Sequence, residues 1–345
     1  MKYTEIQALL NWYSQNRRSL PWRETNNPYE IWLSEVILQQ TRVDQGTPYY
    51  LRFVQAFPTI DDLAAATEDE VLALWQGLGY YSRGRNLHQT AKKIVEMGRF
   101  PNSYSELISL KGIGPYTAAA VASFAFNEPV AVVDGNVFRV VSRWLANASP
   151  IDVANTRTFF FALLNEWIPP QRAADFNQAI MELGALVCVP KAPKCSQCPL
   201  SDTCSAHAQN TVLQFPVKRG RVKVEKVYHA YFEIQRQNKV AILRRPNNGI
   251  WAGLYDFPSM SSTSNITMNE IYDTLEQLNI SGSVQLVKSF THVLSHRKIE
   301  ASYYRILCET IQETKFQWST VEQLETRGIS ALMKKYLNSQ YMISE

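Results

Sequence analysis

Four cysteines in one short stretch are the clearest chemical feature of the sequence. They follow the pattern C-x6-C-x2-C-x5-C, at Cys188, Cys195, Cys198 and Cys204. Structural zinc usually takes two short knuckles separated by a longer gap, whereas only one short knuckle is present here. Four thiolates in one tight loop are typical of a cubane iron–sulfur cluster. The pattern predicts one [4Fe-4S] cluster. The cluster would either transfer electrons or hold together a basic loop in which Lys191 and Lys194 face phosphate.

Two carboxylates have surroundings that could divide the work of acid catalysis. Glu35 lies within Ile31-Trp-Leu-Ser-Glu-Val-Ile-Leu38, an almost wholly apolar neighbourhood. A glutamate that loses hydration favours its neutral form and becomes a candidate acid. Asp134 lies in Val133-Asp-Gly-Asn-Val137, where capping of the following helix is the default interpretation. If both act, one donates a proton and the other stabilises positive charge, as in glycoside cleavage.

The segment Leu110-Lys-Gly-Ile-Gly-Pro-Tyr-Thr117 lies between two helical patterns. Gly112 and Gly114 allow a tight hairpin, and Pro115 is a good first residue for the next helix. Exposed backbone N–H groups at such a helix start attract phosphate without reading base sequence. An ordinary glycine turn between two helices explains the same residues.

Two further segments carry polar and aromatic groups suited to nucleic acid. Gln40 and Thr41 follow Glu35 on the same predicted helix, either as contact residues or as a helix end turning to solvent. Tyr80 lies in Gly77-Leu-Gly-Tyr-Tyr-Ser-Arg-Gly-Arg-Asn86, where two aromatic residues on a flexible turn stand beside two arginines. Such groups stack on bases and pair with phosphates. Tyrosines at the edge of a core give the same pattern.

The elements that must position these residues fall into two regions. Residues 3 to 205 show apolar residues at helical spacing, punctuated by Pro and Gly. We predict a multi-domain chain: an all-α domain at 1–207 that includes the cysteine loop at 188–204, a polar and basic linker at 208–226, and an α+β domain at 227–345. The 345 residues, with 46% apolar and 19% charged content, can form both cores.

Composition excludes some classes of protein and leaves others open. The formal net charge of +4 permits a nucleic-acid partner without requiring one. The longest apolar stretch, 117–133, is interrupted by polar residues, so we expect no membrane span. The first ten residues lack the basic-then-apolar pattern of a secretory signal, so we expect a cytoplasmic protein.

In this order, the motifs resemble those of the helix–hairpin–helix iron–sulfur DNA glycosylases, and among them the adenine DNA glycosylases. The resemblance covers roughly residues 5 to 210. It is carried jointly by the hairpin, the cysteine pattern and four short motifs: Pro-Trp-Arg at 21–23, Leu-Ser-Glu-Val-Ile-Leu-Gln-Gln-Thr at 33–41, Gly-Leu-Gly-Tyr-Tyr at 77–81 and Val-Asp-Gly-Asn-Val at 133–137.

The resemblance implies a role for each matching residue. Glu35 would protonate adenine, and Asp134, supported by Asn136, would stabilise the sugar cation. Tyr116 occupies the hairpin position where lyase-type relatives such as endonuclease III carry a catalytic lysine, and a tyrosine cannot form a Schiff base. The implied adenine pocket consists of Trp22, Arg23 and Gln178, and the residues that would contact DNA or fill the base stack are Gln40, Thr41, Tyr80, Gly112 and Gly114.

The second region resembles the Nudix-like domain of the same family. Ile250-Trp-Ala-Gly-Leu-Tyr-Asp-Phe-Pro258 matches its turn and strand, but residues 259–282 lack the clustered Arg and Glu of a Nudix hydrolase, so we expect no pyrophosphate hydrolysis. Thr291-His-Val-Leu-Ser-His296 matches the loop that reads 8-oxoguanine. Ser295 and His296 fit that loop, and Leu294 stands where some members carry an aromatic residue.

The resemblance implies a monomeric repair enzyme that binds double-stranded DNA. It would remove adenine mispaired with 8-oxoguanine or guanine by hydrolysis, without efficient strand cleavage, and would act on chromosomal DNA. Three alternatives stay open: a thymine-excising or lyase-type relative, a non-catalytic DNA-binding protein, and a ferredoxin-like electron carrier. Tyr116, the pair of Glu35 and Asp134, and the size of the helical region argue against them in turn.

Overall fold

A computed structural model describes residues 1–220, 224–246, 249–294, 296–311, 316–325 and 327–341. By contact, the chain divides into two compact units. The first unit comprises residues 1–64 and 89–220, and the second comprises residues 65–88 and 221–345. No helix in the described part of the chain combines the length and apolar character that crossing a bilayer requires.

The region up to residue 220 is helical, as the spacing of its apolar residues predicts. Its α-helices are α1 Tyr3–Asn16, α2 Pro28–Leu38, α3 Val43–Ala56, α4 Ile60–Ala65, α5 Glu68–Leu74, α6 Ser82–Glu96, α7 Tyr104–Leu107, α8 Pro115–Phe126, α9 Gly135–Leu145, α10 Ala154–Trp167, α11 Ala173–Leu186 and α12 Ser205–Ala208. Short 3-10 turns include Pro21–Arg23, Cys195–Gln197 and Ser201–Thr203.

The first unit is built around helices α1, α9, α10 and α11. Their apolar faces share one core that includes Leu10, Val141, Phe160, Leu164 and Ile180, all at most 4% exposed. Helix α2 is different, because nearly every residue from Tyr29 to Ile37 is buried. A helix that is apolar all round belongs in an interior. Any polar side chain on α2 is therefore carried into the protein core.

The second unit contains a mixed sheet. Its strands are β1 Glu225–Arg236, β2 Lys239–Arg244, β3 Tyr255–Asp256, β4 Ser259–Ser262, β5 Ile280–Val293, β6 Arg297–Ile311 and β7 Gln317–Ser319, and its further helices are α13 Met268–Gln277, α14 Val321–Glu325 and α15 Ala331–Tyr341. Strands β1 and β6 pair in parallel, while β5 runs antiparallel to β6. The expected helical region followed by an α+β region is confirmed.

Both faces of this sheet are covered by a helix. On one face, Ile271 and Leu275 of α13 pack with Ala230 and Ile306. On the other face, Tyr336 of α15 stacks on Tyr303, with ring centroids 4.2 Å apart. Alternate residues of a strand point to opposite faces, so one strand can supply both layers.

The start of the predicted linker is bound to the first unit. The amide of Ile151 donates to the carbonyl of Val217 at 3.0 Å, and Asp152 accepts from the amide of Arg219 at 2.9 Å. Arg143, which is 2% exposed, donates to the carbonyl of Phe215 at 3.1 Å. Residues 215–219 therefore belong structurally to the helical unit.

Candidate active site and DNA-contacting surfaces

A cavity of about 370 Å³ lies in the first unit and brings together many of the predicted site residues. Helix α2, helix α8, the start of α9 and one face of α11 contribute to its walls. Eight residues singled out from the sequence line it: Trp22, Arg23, Glu35, Thr41, Tyr116, Asp134, Asn136 and Gln178. These residues span more than 150 positions of the chain, so only the fold can bring them together.

Glu35 projects from the buried helix α2 and is 7% exposed. Burial raises the pKa of Glu35 to about 7, while a hydrogen bond with Tyr116 opposes the shift and the charge of Asp134 adds to it. Near neutral pH, a large fraction of Glu35 therefore carries a proton. A carboxylic acid with a pKa near the working pH can donate that proton efficiently.

Asp134 is the N-cap of helix α9, as expected from the sequence. Its Oδ1 accepts from the amide of Val137 at 2.8 Å, and its Oδ2 accepts from Nδ2 of Asn136 at 2.7 Å. Burial raises the pKa of Asp134, whereas these hydrogen bonds lower it. Asp134 thus caps helix α9 and also lines the cavity. Its two hydrogen bonds hold the carboxylate in a fixed orientation.

Helix α11 packs very closely against the start of α9. A Cβ atom on Gly184 would lie 2.7 Å from Cβ of Asn136, which is closer than real side chains approach. Arg139 binds across the same junction, donating to the carbonyl of Gly184 at 2.8 Å and to Oδ1 of Asn136 at 2.7 Å. The absence of a side chain at 184 therefore sets the distance between the two helices.

One buried carboxylate in the cavity was missed by sequence reasoning. Glu182 is 1% exposed and binds two arginines: Arg18 at 2.7 and 2.8 Å, and Arg23 at 2.9 and 3.0 Å. Burial alone would raise the pKa of Glu182, but the hydrogen bonds from Arg18 and Arg23 outweigh it and lower the pKa to about 2. Its position four residues after Gln178, on the same face of a helix, is the signal that could have identified it.

The glycine hairpin has the predicted form. Gly112 has a φ of +81°, a conformation that favours glycine, and helix α8 begins at Pro115. Gly114 is the N-cap of that helix in an extended conformation, and a Cβ added there would meet no atom within 4 Å. The backbone at this helix start is therefore open to an approaching phosphate.

The prediction that Gln40 and Thr41 continue the helix of Glu35 is wrong. Helix α2 ends at Leu38, and Gln40 has a φ of +57°. Positive φ is uncommon for residues other than glycine. Gln40 is exposed, while Thr41 is half-buried and lines the cavity. The segment therefore leaves the helix beside the cavity.

The four predicted cysteine ligands line one small cavity together with Arg143 and His207. Arg143 donates to Sγ of Cys188 at 3.4 Å and to the carbonyls of Val189 and Pro190 at 2.8 and 2.9 Å. Within the described residues, no three metal-binding side chains converge on a single ion. A cubane cluster takes one thiolate at each iron, so its ligands surround a volume instead. The donor set and the adjacent cation fit such a cluster.

The second unit has its own cavity, of about 410 Å³. Tyr80, which is 52% exposed with a φ of +47°, lines it together with Trp251, His292 and His296. The ring centroids of Trp251 and His292 are 5.7 Å apart. Ser295 lies outside the described residues. Of the predicted 8-oxoguanine contacts, Tyr80 and His296 thus share one aromatic cavity.

Comparison with known proteins agrees with this arrangement. Residues 33–169 match the family model of the HhH-GPD superfamily base excision DNA repair proteins, and residues 230–339 match that of the NUDIX domain. The expected order, a helical glycosylase domain followed by a Nudix-like domain, is confirmed. A solved thermostable thymine-DNA glycosylase is 28% identical, with a TM-score of 0.55, and the match covers 59% of this chain and 95% of that one.

Two relatives cover most of the chain. The adenine DNA glycosylase of Buchnera aphidicola subsp. Baizongia pistaciae is 37% identical over 297 residues, covering 84% of this chain and 82% of the relative. The adenine DNA glycosylase of Rattus norvegicus is 35% identical over 392 residues, covering 95% and 76%. The resemblance inferred from the motifs is confirmed, and the chain belongs to the adenine DNA glycosylase family of base excision DNA repair enzymes.

Proposed function

We propose that this enzyme flips adenine out of a mispair with 8-oxoguanine or guanine in double-stranded DNA and hydrolyses its N-glycosidic bond. The observation that carries the proposal is the cavity that Glu35, with a pKa raised by burial to about 7, lines together with Asp134 and Tyr116. Flipping costs a few kcal/mol, and less at a mispair, so mispaired adenine is the easier base to extrude.

Glu35 supplies the proton that makes adenine a leaving group. Its neutral form persists near neutral pH because the apolar surroundings of α2 disfavour the anion. When adenine departs, positive charge develops on the sugar. Asp134, fixed by Val137 and Asn136, is the anion that stabilises it. Water then completes the hydrolysis.

The base would be held by the walls of the same cavity. Trp22 provides an aromatic surface, and Arg23 and Gln178 provide polar groups. Thr41, at the edge of the cavity, and Gln40 would fill the gap in the base stack, and the backbone of Gly112 and Gly114 would bind phosphate.

Hydrolysis without strand cleavage follows from the residue at 116. Lyase chemistry needs an amine to form a Schiff base with the sugar, and the hydroxyl of Tyr116 cannot provide one. Burial and the charge of Glu35 also raise the pKa of Tyr116 well above its usual value, so it stays a neutral hydrogen-bonding group.

In this proposal the helical domain, up to residue 207, carries the chemistry, and the Nudix-like domain from 227 reads the base opposite adenine. His296, Tyr80 and Ser295 would contact 8-oxoguanine. A site that hydrogen-bonds a distinguishing group rejects partners lacking it. His296→Ala should therefore lower the ratio of rates on A:8-oxoguanine and A:G by about tenfold, because one hydrogen bond to the oxidised base would be lost. An unchanged ratio would exclude His296 from recognition.

We propose that Cys188, Cys195, Cys198 and Cys204 bind one [4Fe-4S] cluster. The cluster would hold the loop between α11 and α12 in place, with Arg143 stabilising its negative charge. Cys198→Ser should remove the brown colour and the bound iron, and weaken DNA binding more than the chemical step. Zinc without iron in the purified wild type would contradict the assignment.

The decisive experiment uses labelled duplexes with A opposite 8-oxoguanine, A opposite guanine, or thymine glycol, each with and without alkali. The proposal expects adenine release from the first two, with strand breaks only after alkali. Breaks without alkali would indicate a lyase. Activity on thymine glycol alone would indicate another substrate class, and no release from any duplex would leave only a binding protein.

A further inference from the structure

Tyr13 lies behind the cavity and contacts one of its polar residues. It is 2% exposed on helix α1, and its hydroxyl donates to Oε1 of Gln178 on α11 at 2.8 Å. The guanidinium of Arg23 lies over its ring, 5.8 Å from the centroid. Tyr13 itself is not among the residues that line the cavity, so any influence on the bound base must pass through Gln178 or Arg23.

The Tyr13–Gln178 hydrogen bond has a defined direction. The hydroxyl of Tyr13 is the donor, and the side-chain oxygen of Gln178 is the acceptor. The carbonyl oxygen of the Gln178 amide is an acceptor, whereas its nitrogen carries only donors. Rotation of the amide by 180° would replace the acceptor of this bond with an NH₂ donor.

We propose that Tyr13 is a positioning residue that fixes the amide of Gln178 so that its NH₂ group is presented to the bound base. This inference rests on the proposed function. The α11 wall of the cavity would then present a hydrogen-bond donor, the NH₂ group of Gln178, to the ligand. Adenine offers acceptors at its ring nitrogens, such as N7 and N3, so a fixed donor matches it. An amide free to rotate would present an acceptor to those nitrogens part of the time.

The test compares two tyrosines that each donate one buried hydrogen bond. Tyr13→Phe keeps the ring beneath Arg23 and removes only the hydroxyl. Tyr29→Phe is the matched control, because the hydroxyl of Tyr29 donates to the carbonyl of Phe57 at 2.7 Å and Tyr29 does not line the cavity. In single-turnover assays on the A:8-oxoguanine duplex, Tyr13→Phe should lower kcat/KM about tenfold, the usual effect of one hydrogen bond, and Tyr29→Phe should not.

Two further measurements separate positioning from general damage. In a Gln178→Ala background, Tyr13→Phe should have no further effect, because the group it orients is gone. The pH midpoint of the reaction should stay at the wild-type value, because Glu35 is untouched. An equal loss in both backgrounds, or a loss matched by Tyr29→Phe, would overturn the inference.

Failure of the inference can be told apart from failure of the proposed function. A wild type that releases adenine, together with a Tyr13→Phe variant that works equally well, overturns the role of Tyr13 alone. A wild type that releases no adenine from any duplex overturns the proposed function and this inference with it.

Discussion

Glu35 and Glu182 line the same cavity from helices α2 and α11, and both are almost wholly buried, at 7% and 1% exposed. Their pKa values nevertheless diverge, to about 7 for Glu35 and about 2 for Glu182. We call the wall around Glu35 the apolar side and the wall formed by Glu182, Arg18 and Arg23 the cationic side. Burial is common to both, so burial alone does not decide which carboxylate keeps a proton.

The pKa values differ because different groups hydrogen-bond to the two carboxylates. Glu182 accepts hydrogen bonds from two guanidinium groups, which outweigh its desolvation, whereas Glu35 has one neutral hydroxyl, that of Tyr116. The cavity is thus lined both by a carboxyl group with a raised pKa and by a buried ion pair. The apolar side performs the chemistry in our proposal, and the cationic side holds the shape of the pocket.

Replacing the acid should have the largest effect. Glu35→Gln keeps the shape of the apolar side and removes the donated proton, so the single-turnover rate should fall roughly 10²–10⁴-fold while DNA binding persists. A gel-shift assay and a base-release assay on the same duplex measure the two quantities. Rapid turnover by this variant would show that another group protonates the base.

The same variant should show the cost of burying Glu35. The folded-state pKa of Glu35 is raised from 4.5 to about 7, so the folded protein binds the proton more tightly than the unfolded chain does. Stability supplied by the neutral acid is complete below pH 4.5 and is lost as pH rises to 7. Glu35→Gln should therefore gain stability over the wild type above pH 7, by about 3 kcal/mol at most, and none below pH 4.5. Urea unfolding at several pH values measures the difference.

Breaking the cationic side should cost stability at neutral pH. Glu182→Gln leaves Arg23, whose side chain is 11% exposed, without a counter-ion. The free energy of unfolding should fall by about 2 kcal/mol, a figure reduced because the partly exposed Arg18 contributes less. Asp175→Asn on the same helix is the control, because its pair with Arg172 is exposed and should be dispensable. Equal losses in both variants would remove the distinction between the two sides.

Removing the outer arginine should have the smallest effect. The side chain of Arg18 is 36% exposed, so its charge is partly screened, and Glu182 keeps both bonds from Arg23. Arg18→Ala should lower the free energy of unfolding by about 1 kcal/mol. Arg23→Ala, measured in the same way, should lose more. The reverse order would mean that exposure does not govern the strength of these pairs.

The surroundings of Glu35 on the apolar side could be predicted from the sequence, but the ion pairs of the cationic side could not. The surroundings of Glu35 are its own neighbours along the chain, so Ile31 to Leu38 reveal them directly. The partners of Glu182 lie 159 and 164 positions away, and only the packing of α1 on α11 brings them together. The end of α2 at Leu38 was also missed, because no glycine or proline follows it to indicate a turn.

Some of the remaining features could be predicted from the local sequence, and others only from the resemblance to a known family. The helix start at Pro115 and the cap at Asp134 depend on local chemistry and were found correctly. Trp22, Arg23 and Gln178 were placed by resemblance alone, since nothing in their local sequence indicates a pocket. Their shared cavity is a property of the fold, as is the cavity where Tyr80 and His296 meet.

The close packing of α11 on α9 at Gly184 limits which side chain the protein can accept at residue 184. Asn136 touches the position where a Cβ would stand, and Asn136 is the residue that holds Asp134. The smallest possible addition to the chain there, one methyl group, must displace the start of α9 or the body of α11. In the proposed mechanism, the activity that survives this change would measure how far the carboxylate of Asp134 can move before base release fails. Residue 184 therefore constrains the site, although it touches neither DNA nor base in the proposed mechanism.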